Sequence, residues 1–224
     1  MSNWVLENLD YQYKQSEITT FTGIQGSFQT GKSYQILGAS GSGKSTLLAL
    51  LAGLTVCSRG SLTFDGQELA LLNRDAYRGS EVACLFQESC LLKDSPLGNL
   101  ELEVFLSGAH SNKEVLKQTL FSVGLMEKQL KLPVEKLAKK DRQLVALAKL
   151  LVKPQAKLIL VDEPEKLFSE CGVSFALKKL RSYCMQQKKC LIFTTQTLQS
   201  VKFADELWGL NGGKLLFIKG DTPK

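Results

Sequence analysis

Residues 38–46, Gly-Ala-Ser-Gly-Ser-Gly-Lys-Ser-Thr, combine glycines, hydroxyl side chains and one lysine in an order suited to phosphate. Gly38, Gly43, Lys44 and Ser45 fit the pattern G-x-x-x-x-G-K-[ST]. Glycines let backbone N–H groups close around phosphate oxygens at a helix N-terminus. Ala39, Ser40, Gly41 and Ser42 form the body of this loop and Thr46 its exit. In such a loop the lysine neutralises the β and γ phosphates and the hydroxyl after it ligates magnesium, the roles expected of Lys44 and Ser45. A second group lies in Leu-Ile-Leu-Val-Asp-Glu-Pro, where Asp162 and Glu163 follow four apolar residues. Carboxylates at the C-terminal end of a buried strand stand where ligands bind in open α/β sheets. The first suits a magnesium shell; the second can orient or deprotonate an attacking water.

Both groups need elements that hold them. Tyr34 to Leu37 reads as a short buried strand before the glycine loop, and an apolar helix opens at Thr46. Upstream, "NWVLENLDYQY" and "ITTFTGIQGSF" alternate at period two, the pattern of half-buried strands. "GSLTFDGQEL" reads as a hairpin. From about Glu88 to Val152 the pattern turns helical: Val115, Leu116, Leu120 and Val123 share helical spacing, and "RQLVALAKLLV" has a broad apolar face that ends at Lys153-Pro154. Parallel-sheet signals resume with "KLILVDEP" and "KCLIFTTQ", and the tail reads as a hairpin about Asn211-Gly212-Gly213.

Composition narrows the classes. At 224 residues and 44% hydrophobic content the chain suits one sizeable domain. No apolar run approaches the roughly 20 residues of a membrane span, and the N-terminus lacks a basic start and apolar signal core, so a cytosolic chain is expected. Its six cysteines form no C-x-x-C pair, and the single histidine, His110, has no ligand-spaced neighbour. Zinc and disulfides are therefore not expected. The net charge of +6 comes from short lysine clusters such as "EKLAKKDR", "LKKLRS" and "QQKKC", mixed with acids and without interleaved aromatics. That favours solvated helix faces over a nucleic-acid surface, and no nucleic-acid partner is expected.

Taken together, the glycine loop, "LILVDEP", "CLFQES", "FSVGLMEKQLKLPVEKL" and "KFADELWGLNGGKL" resemble the ATP-binding subunits of ABC transporters, over nearly the whole chain. The resemblance implies a P-loop NTPase of ABC type. Its fold class is α/β: a mostly parallel central sheet, an N-terminal antiparallel β-subdomain and an inserted helical subdomain at about residues 88–152, within one domain spanning 1–224. The interval from Lys44 to Asp162 leaves room for that insertion. In the family an aromatic residue upstream of the loop stacks on adenine, a place matched by Tyr13, with Tyr11 as second candidate. Gln87 inherits a role in touching magnesium and the attacking water while sensing the membrane subunits. ATP and Mg2+ are the implied ligands, Ser45, Gln87 and Asp162 the implied metal set.

Three features of the family pattern are missing. Leu137 to Asp141, Leu-Ala-Lys-Lys-Asp, stands where the family has Leu-Ser-Gly-Gly-Gln, so Ala138 lacks a phosphate-binding hydroxyl and Lys139 and Lys140 replace both glycines. Gln196 occupies the switch-histidine position and can donate a hydrogen bond without carrying a proton charge. Ser169 stands where an aspartate usually joins the two subunits' sites. The two lysines are read either as solvated charges at a helix start that has lost function or as cations supplied in trans. The implied protein is a subunit that binds Mg-ATP, hydrolyses it slowly through Glu163, Gln87 and Gln196, and pairs with a second ATPase subunit, the same chain or another. It would drive a membrane permease from the cytoplasmic face. Two alternatives stand: a regulatory subunit deficient in hydrolysis, and a soluble ABC protein unconnected with transport.

Overall fold

The computed structural model describes residues 1–13, 19–86, 91–110 and 112–220. Two sheets organise them. The first is antiparallel, built from β1 (Asn3–Gln12), β2 (Thr19–Gln29), β4 (Arg59–Phe64) and β5 (Gln67–Glu68) in the order β2-β1-β4-β5. The period-two alternation holds only in stretches: Trp4 and Leu6, then Leu9 and Tyr11, of β1 pack inward with Phe21, Ile24 and Phe28 of β2, and the phase slips between Leu6 and Leu9, where the pairing register shifts and Asn8 has φ 47°.

The second sheet runs β10-β9-β3-β8-β7-β6 and includes β3 (Ser33–Leu37), β6 (Val82–Leu85), β7 (Leu158–Val161), β8 (Cys190–Thr195), β9 (Glu206–Asn211) and β10 (Lys214–Gly220). Its neighbours pair in parallel except β9 with β10. β7 and β8 are buried throughout, which is why their sequences read as continuous apolar runs rather than alternations. Both expected hairpins form, through two-residue turns Asp65-Gly66 and Gly212-Gly213. The central residues of both turns have positive φ, the hand that matches strand twist.

Helix α1 (Lys44–Leu51) opens two residues before the Thr46 expected from the apolar pattern, because the turn already closes on Gly43: the Leu47 N–H donates to the Gly43 carbonyl at 2.9 Å. Helix α2 (Arg74–Ser80) leads into β6. Between β6 and β7 the described chain is helical: α3 (Pro96–Leu106), α4 (Lys113–Ser122), α5 (Glu127–Leu130) and α6 (Lys139–Leu151). Glu88, where the helical region was expected to begin, lies outside the described residues. Leu144, Val145, Leu147 and Ala148 of α6 are buried with Leu100, Leu116 and Leu120, tying these helices to the sheet face that holds Ile159 and Val161. After β7 come α7 (Pro164–Leu167) and α8 (Val173–Gln186).

One expectation is corrected. Of the two lysines in "QQKKC", Lys188 is solvated and Lys189 is buried, its ammonium donating to the carbonyls of Lys153, Pro154 and Ala156. Three backbone acceptors offset the cost of taking that charge from water.

Candidate active site

The parallel strands deliver their C-terminal ends to one edge of the sheet. β3 ends at Leu37 and the chain turns through Gly38 to Gly43 into α1. A Cβ on Gly38 would lie 2.5 Å from the Ser42 hydroxyl and 2.6 Å from the Leu210 carbonyl, so the loop closes only around a glycine. Gly43 sits at φ 97°, where a Cβ would meet the Phe21 ring at 2.7 Å. The first sheet thus presses the loop into shape through Phe21. Helix α1 has no side-chain cap and no acidic residue in its first turn, which leaves its leading N–H groups available to an anion.

Lys44 is buried, and its ammonium donates to the carbonyls of Gly38 and Ala39 at 2.9 and 2.8 Å. It stands 3.8 Å from Glu163 Oε1. The Ser45 hydroxyl donates to Asp162 Oδ2 at 2.6 Å, while Asp162 Oδ1 accepts from the Thr194 hydroxyl at 2.5 Å. These contacts join α1, β7 and β8, and a cleft of about 340 Å³ opens beside them. Tyr13, Thr20, Ser40, Gly41, Gly43, Lys44, Ser45, Thr46 and Glu163 line it.

The two tyrosine candidates separate. Tyr11 is buried, with its hydroxyl 3.2 Å from that of Thr55. Tyr13 is half exposed at the cleft mouth, its hydroxyl 2.6 Å from that of Thr46 and its ring edge-on to Tyr11. Gln87 lies outside the described residues.

Glu163 is buried in the left-handed region, at φ 51° and ψ 65°. That conformation is costly for a residue with a side chain and needs surroundings that enforce it. Pro164 follows directly, and the Glu163 N–H donates to the Thr194 hydroxyl at 3.0 Å. Oε1 accepts from Gln196 Nε2 at 2.7 Å, and Oε2 forms an ion pair with Lys166. Burial raises the Glu163 carboxyl's pKa, but the hydrogen bonds from Lys166 and Gln196 and the charges of Lys166 and Lys44 outweigh it and hold the group below its ordinary range. Next to it, burial pushes Glu165 up. Lys166 was not singled out from sequence, although its spacing of three from Glu163 is that of neighbours on one helical turn. Thr194 was likewise missed; a threonine at a strand end carries no distinctive signal.

The segment Leu137 to Asp141 forms the start of α6, with Ala138 at the N-cap and no side-chain cap bond. Lys139 and Lys140 are exposed, and Lys139 pairs with Glu170 at 3.3 Å. Gln143, one turn along, binds the stretch after α7: it donates to Ser169 Oγ at 3.2 Å and accepts from the N–H groups of Glu170 and Cys171 at 2.9 and 3.0 Å.

The residues present fit a magnesium nucleotide. Among the described residues Lys44 has hydrogen bonds to loop carbonyls and an ion pair with Glu163, it lines the cleft, and α1 starts uncapped. Ser45 and Asp162 offer two hard oxygen ligands side by side, suited to a cation that keeps water and phosphate oxygens as its other ligands.

Comparison with known proteins agrees. The sequence profile of the family described as ABC transporter matches residues 21–166. The xylose/arabinose import ATP-binding protein of Sulfolobus acidocaldarius is 28% identical, with 96% of this chain and 88% of that protein covered. The lipoprotein-releasing system ATP-binding protein of Zymomonas mobilis is 32% identical, with 96% of each covered. Among solved structures, an ATP-binding cassette captured as a post-hydrolysis dimer with ADP and Pi superposes with a TM-score of 0.84 at 22% identity, over 97% of this chain and 99% of that one. That last likeness establishes the fold.

Proposed function

The chain belongs to the ABC transporter family as an ATP-binding ATPase subunit, and from that premise we propose that it binds Mg-ATP and turns it over slowly. In this reading it works at the cytoplasmic face of a membrane, face to face with a second such subunit and beneath a separate permease. No helix of the described residues is long and apolar enough to cross a membrane. The observation that carries the reading is the meeting of Lys44, Ser45, Asp162 and Glu163 within hydrogen-bond or ion-pair distance beside an uncapped helix start.

Each residue then has a task. The loop from Gly38 to Gly43 donates backbone N–H groups to phosphate oxygens, and Lys44 exchanges its loop carbonyls for the β and γ phosphates. Ser45 and Asp162 would hold the metal, with Gln87 as the further ligand implied by the family pattern; when bound, such a cation would supply positive charge against the phosphate oxygens. Tyr13 stacks on adenine, and Thr46, now paired with Tyr13, closes the phosphate end. Glu163 orients or deprotonates the water. Gln196 fixes Glu163 by a donated hydrogen bond and, being neutral, takes no proton from it.

Slow turnover follows from the far side of each site. In a face-to-face dimer the start of α6 meets the partner's phosphates with no hydroxyl at Ala138 and with Lys139 committed to Glu170. Titrating a fluorescent ATP analogue with and without magnesium tests the cradle. Removing Lys44, a charged donor, should weaken affinity by about 10- to 100-fold. Equal affinity of Lys44→Ala and the unmodified chain would overturn the assignment.

A further inference from the structure

We propose that Lys166 is a positioning residue that restrains Glu163 as a built-in brake on hydrolysis. The inference rests on the nucleotide reading above and concerns a side chain that reading does not use. Glu163 is held from every side the described structure shows. Its backbone N–H is fixed on Thr194, and its Oε1 accepts from Gln196 at 2.7 Å and faces Lys44 at 3.8 Å. Its Oε2 is buried and rests on the Lys166 ammonium. A general base must turn an oxygen toward the water it activates. Here both oxygens already face protein cations or donors.

The three restraints differ in what happens when nucleotide arrives. Lys44 turns to the phosphates in the proposed mode. Gln196 is neutral and contacts only Oε1. Lys166 alone keeps a full charge on Oε2, and α7 gives it the reach, because Glu163 at the helix cap and Lys166 three residues later lie on one turn. Its side chain is 58% exposed against 6% for Glu163. The lysine can therefore swing into water while the carboxylate stays, which makes the contact a releasable brake rather than part of the core. A partner that drew Lys166 away would free the base.

The test uses Lys166→Met, which keeps the length and removes the charge, and Lys166→Arg, which keeps the charge. Affinity for the fluorescent ATP analogue should be unchanged in both. Hydrolysis of bound Mg-ATP in a single turnover should rise about tenfold or more in Lys166→Met, part of the 10²- to 10⁴-fold that a general base supplies, and stay at the unmodified rate in Lys166→Arg. In the Glu163→Gln background Lys166→Met should give no gain. A readout independent of activity is thermal unfolding of the nucleotide-free chain in a Lys166/Glu163 double-mutant cycle, where the two shifts should be non-additive. Bound ATP with no faster hydrolysis in Lys166→Met, a gain that persists without Glu163, or additive unfolding shifts would each overturn the proposal. Failure of every protein to bind ATP would instead sink the nucleotide reading, and the brake with it.

Discussion

Helices α1 and α6 begin alike and present opposite chemistry. Helices α2, α3 and α4 are capped by the side chains of Asn73, Ser95 and Asn112, whereas α1 and α6, like α7 and α8, have no side-chain cap. An uncapped first turn keeps its N–H donors for something outside the helix. At α1 the approach is glycine, the first turn carries no acid, and Lys44 is parked on carbonyls that it can leave. At α6 the approach is Ala138, two lysines crowd the first turn, and one is tied to Glu170. In the proposed reading, the contrast sets a phosphate site made from backbone geometry against a facing segment whose side chains have changed.

The comparison breaks most decisively if α6 can be made to resemble α1. Loss of a single preorganised transition-state donor costs about 10²–10³ in rate. Combining Ala138→Ser, Lys139→Gly and Lys140→Gly with Gln196→His should therefore raise phosphate release by the isolated chain more than either repair alone. Rapid, cooperative hydrolysis by the unmodified chain across a protein-concentration series would show that α6 needs no repair. Slower release after the lysines are replaced would mean that α6 supplies a cation in trans, and that the two helix starts are alternatives rather than opposites.

A smaller effect sharpens the α1 side. If the cradle is backbone geometry, the side chain that adds most to affinity without touching phosphate is Tyr13, half exposed at the cleft mouth. Base–aromatic stacking contributes about 1–3 kcal/mol, so Tyr13→Ala should weaken ATP about 5- to 150-fold while sparing inorganic phosphate. Tyr11 is buried and linked to Thr55. A larger loss of ATP affinity in Tyr11→Ala than in Tyr13→Ala would move the adenine site.

What the sequence made legible divides along the same line. The glycine loop could be read because its signals are local: closely spaced glycines, the strand before and the helix after all lie in one stretch. The same holds for the two hairpins, whose Asp65-Gly66 and Gly212-Gly213 turns are short-range signals, while the register shifts of β1 against β2 were not visible in their alternation. The strand order could not be read from periodicity, since β3 lies between β8 and β9, far from it in sequence. Nor could the partners of Glu163: Gln196 and Thr194 come from β8 and its end, and the left-handed Glu163 backbone is held by its N–H bond to Thr194. Lys166 had a sequence signal, the three-residue spacing, but its meaning depended on Oε2 being buried with no other donor. Lys189 reversed its reading for the same reason, because three carbonyls from a distant turn receive it.

The smallest expected effect separates stability from function at α6. Ala138 has the extended conformation of an N-cap, φ −60° and ψ 155°, yet offers no acceptor to the first-turn N–H groups of a 13-residue helix. A serine there places an oxygen where it accepts from the N–H of Lys140 or Asp141, and such caps are worth about 0.5–2 kcal/mol over alanine. Lys139 and Lys140 also oppose the helix dipole, with Asp141 as the first-turn acid against them. Ala138→Ser alone should therefore raise the urea midpoint with an unchanged slope. Glu170→Gln, which removes the exposed pair with Lys139, should move the midpoint little. No gain from the serine would mean that the first turn of α6 is already satisfied. Its uncapped state would then not be equivalent to that of α1, whose donors face a cleft, and the likeness between the two helix starts would be one of sequence position only.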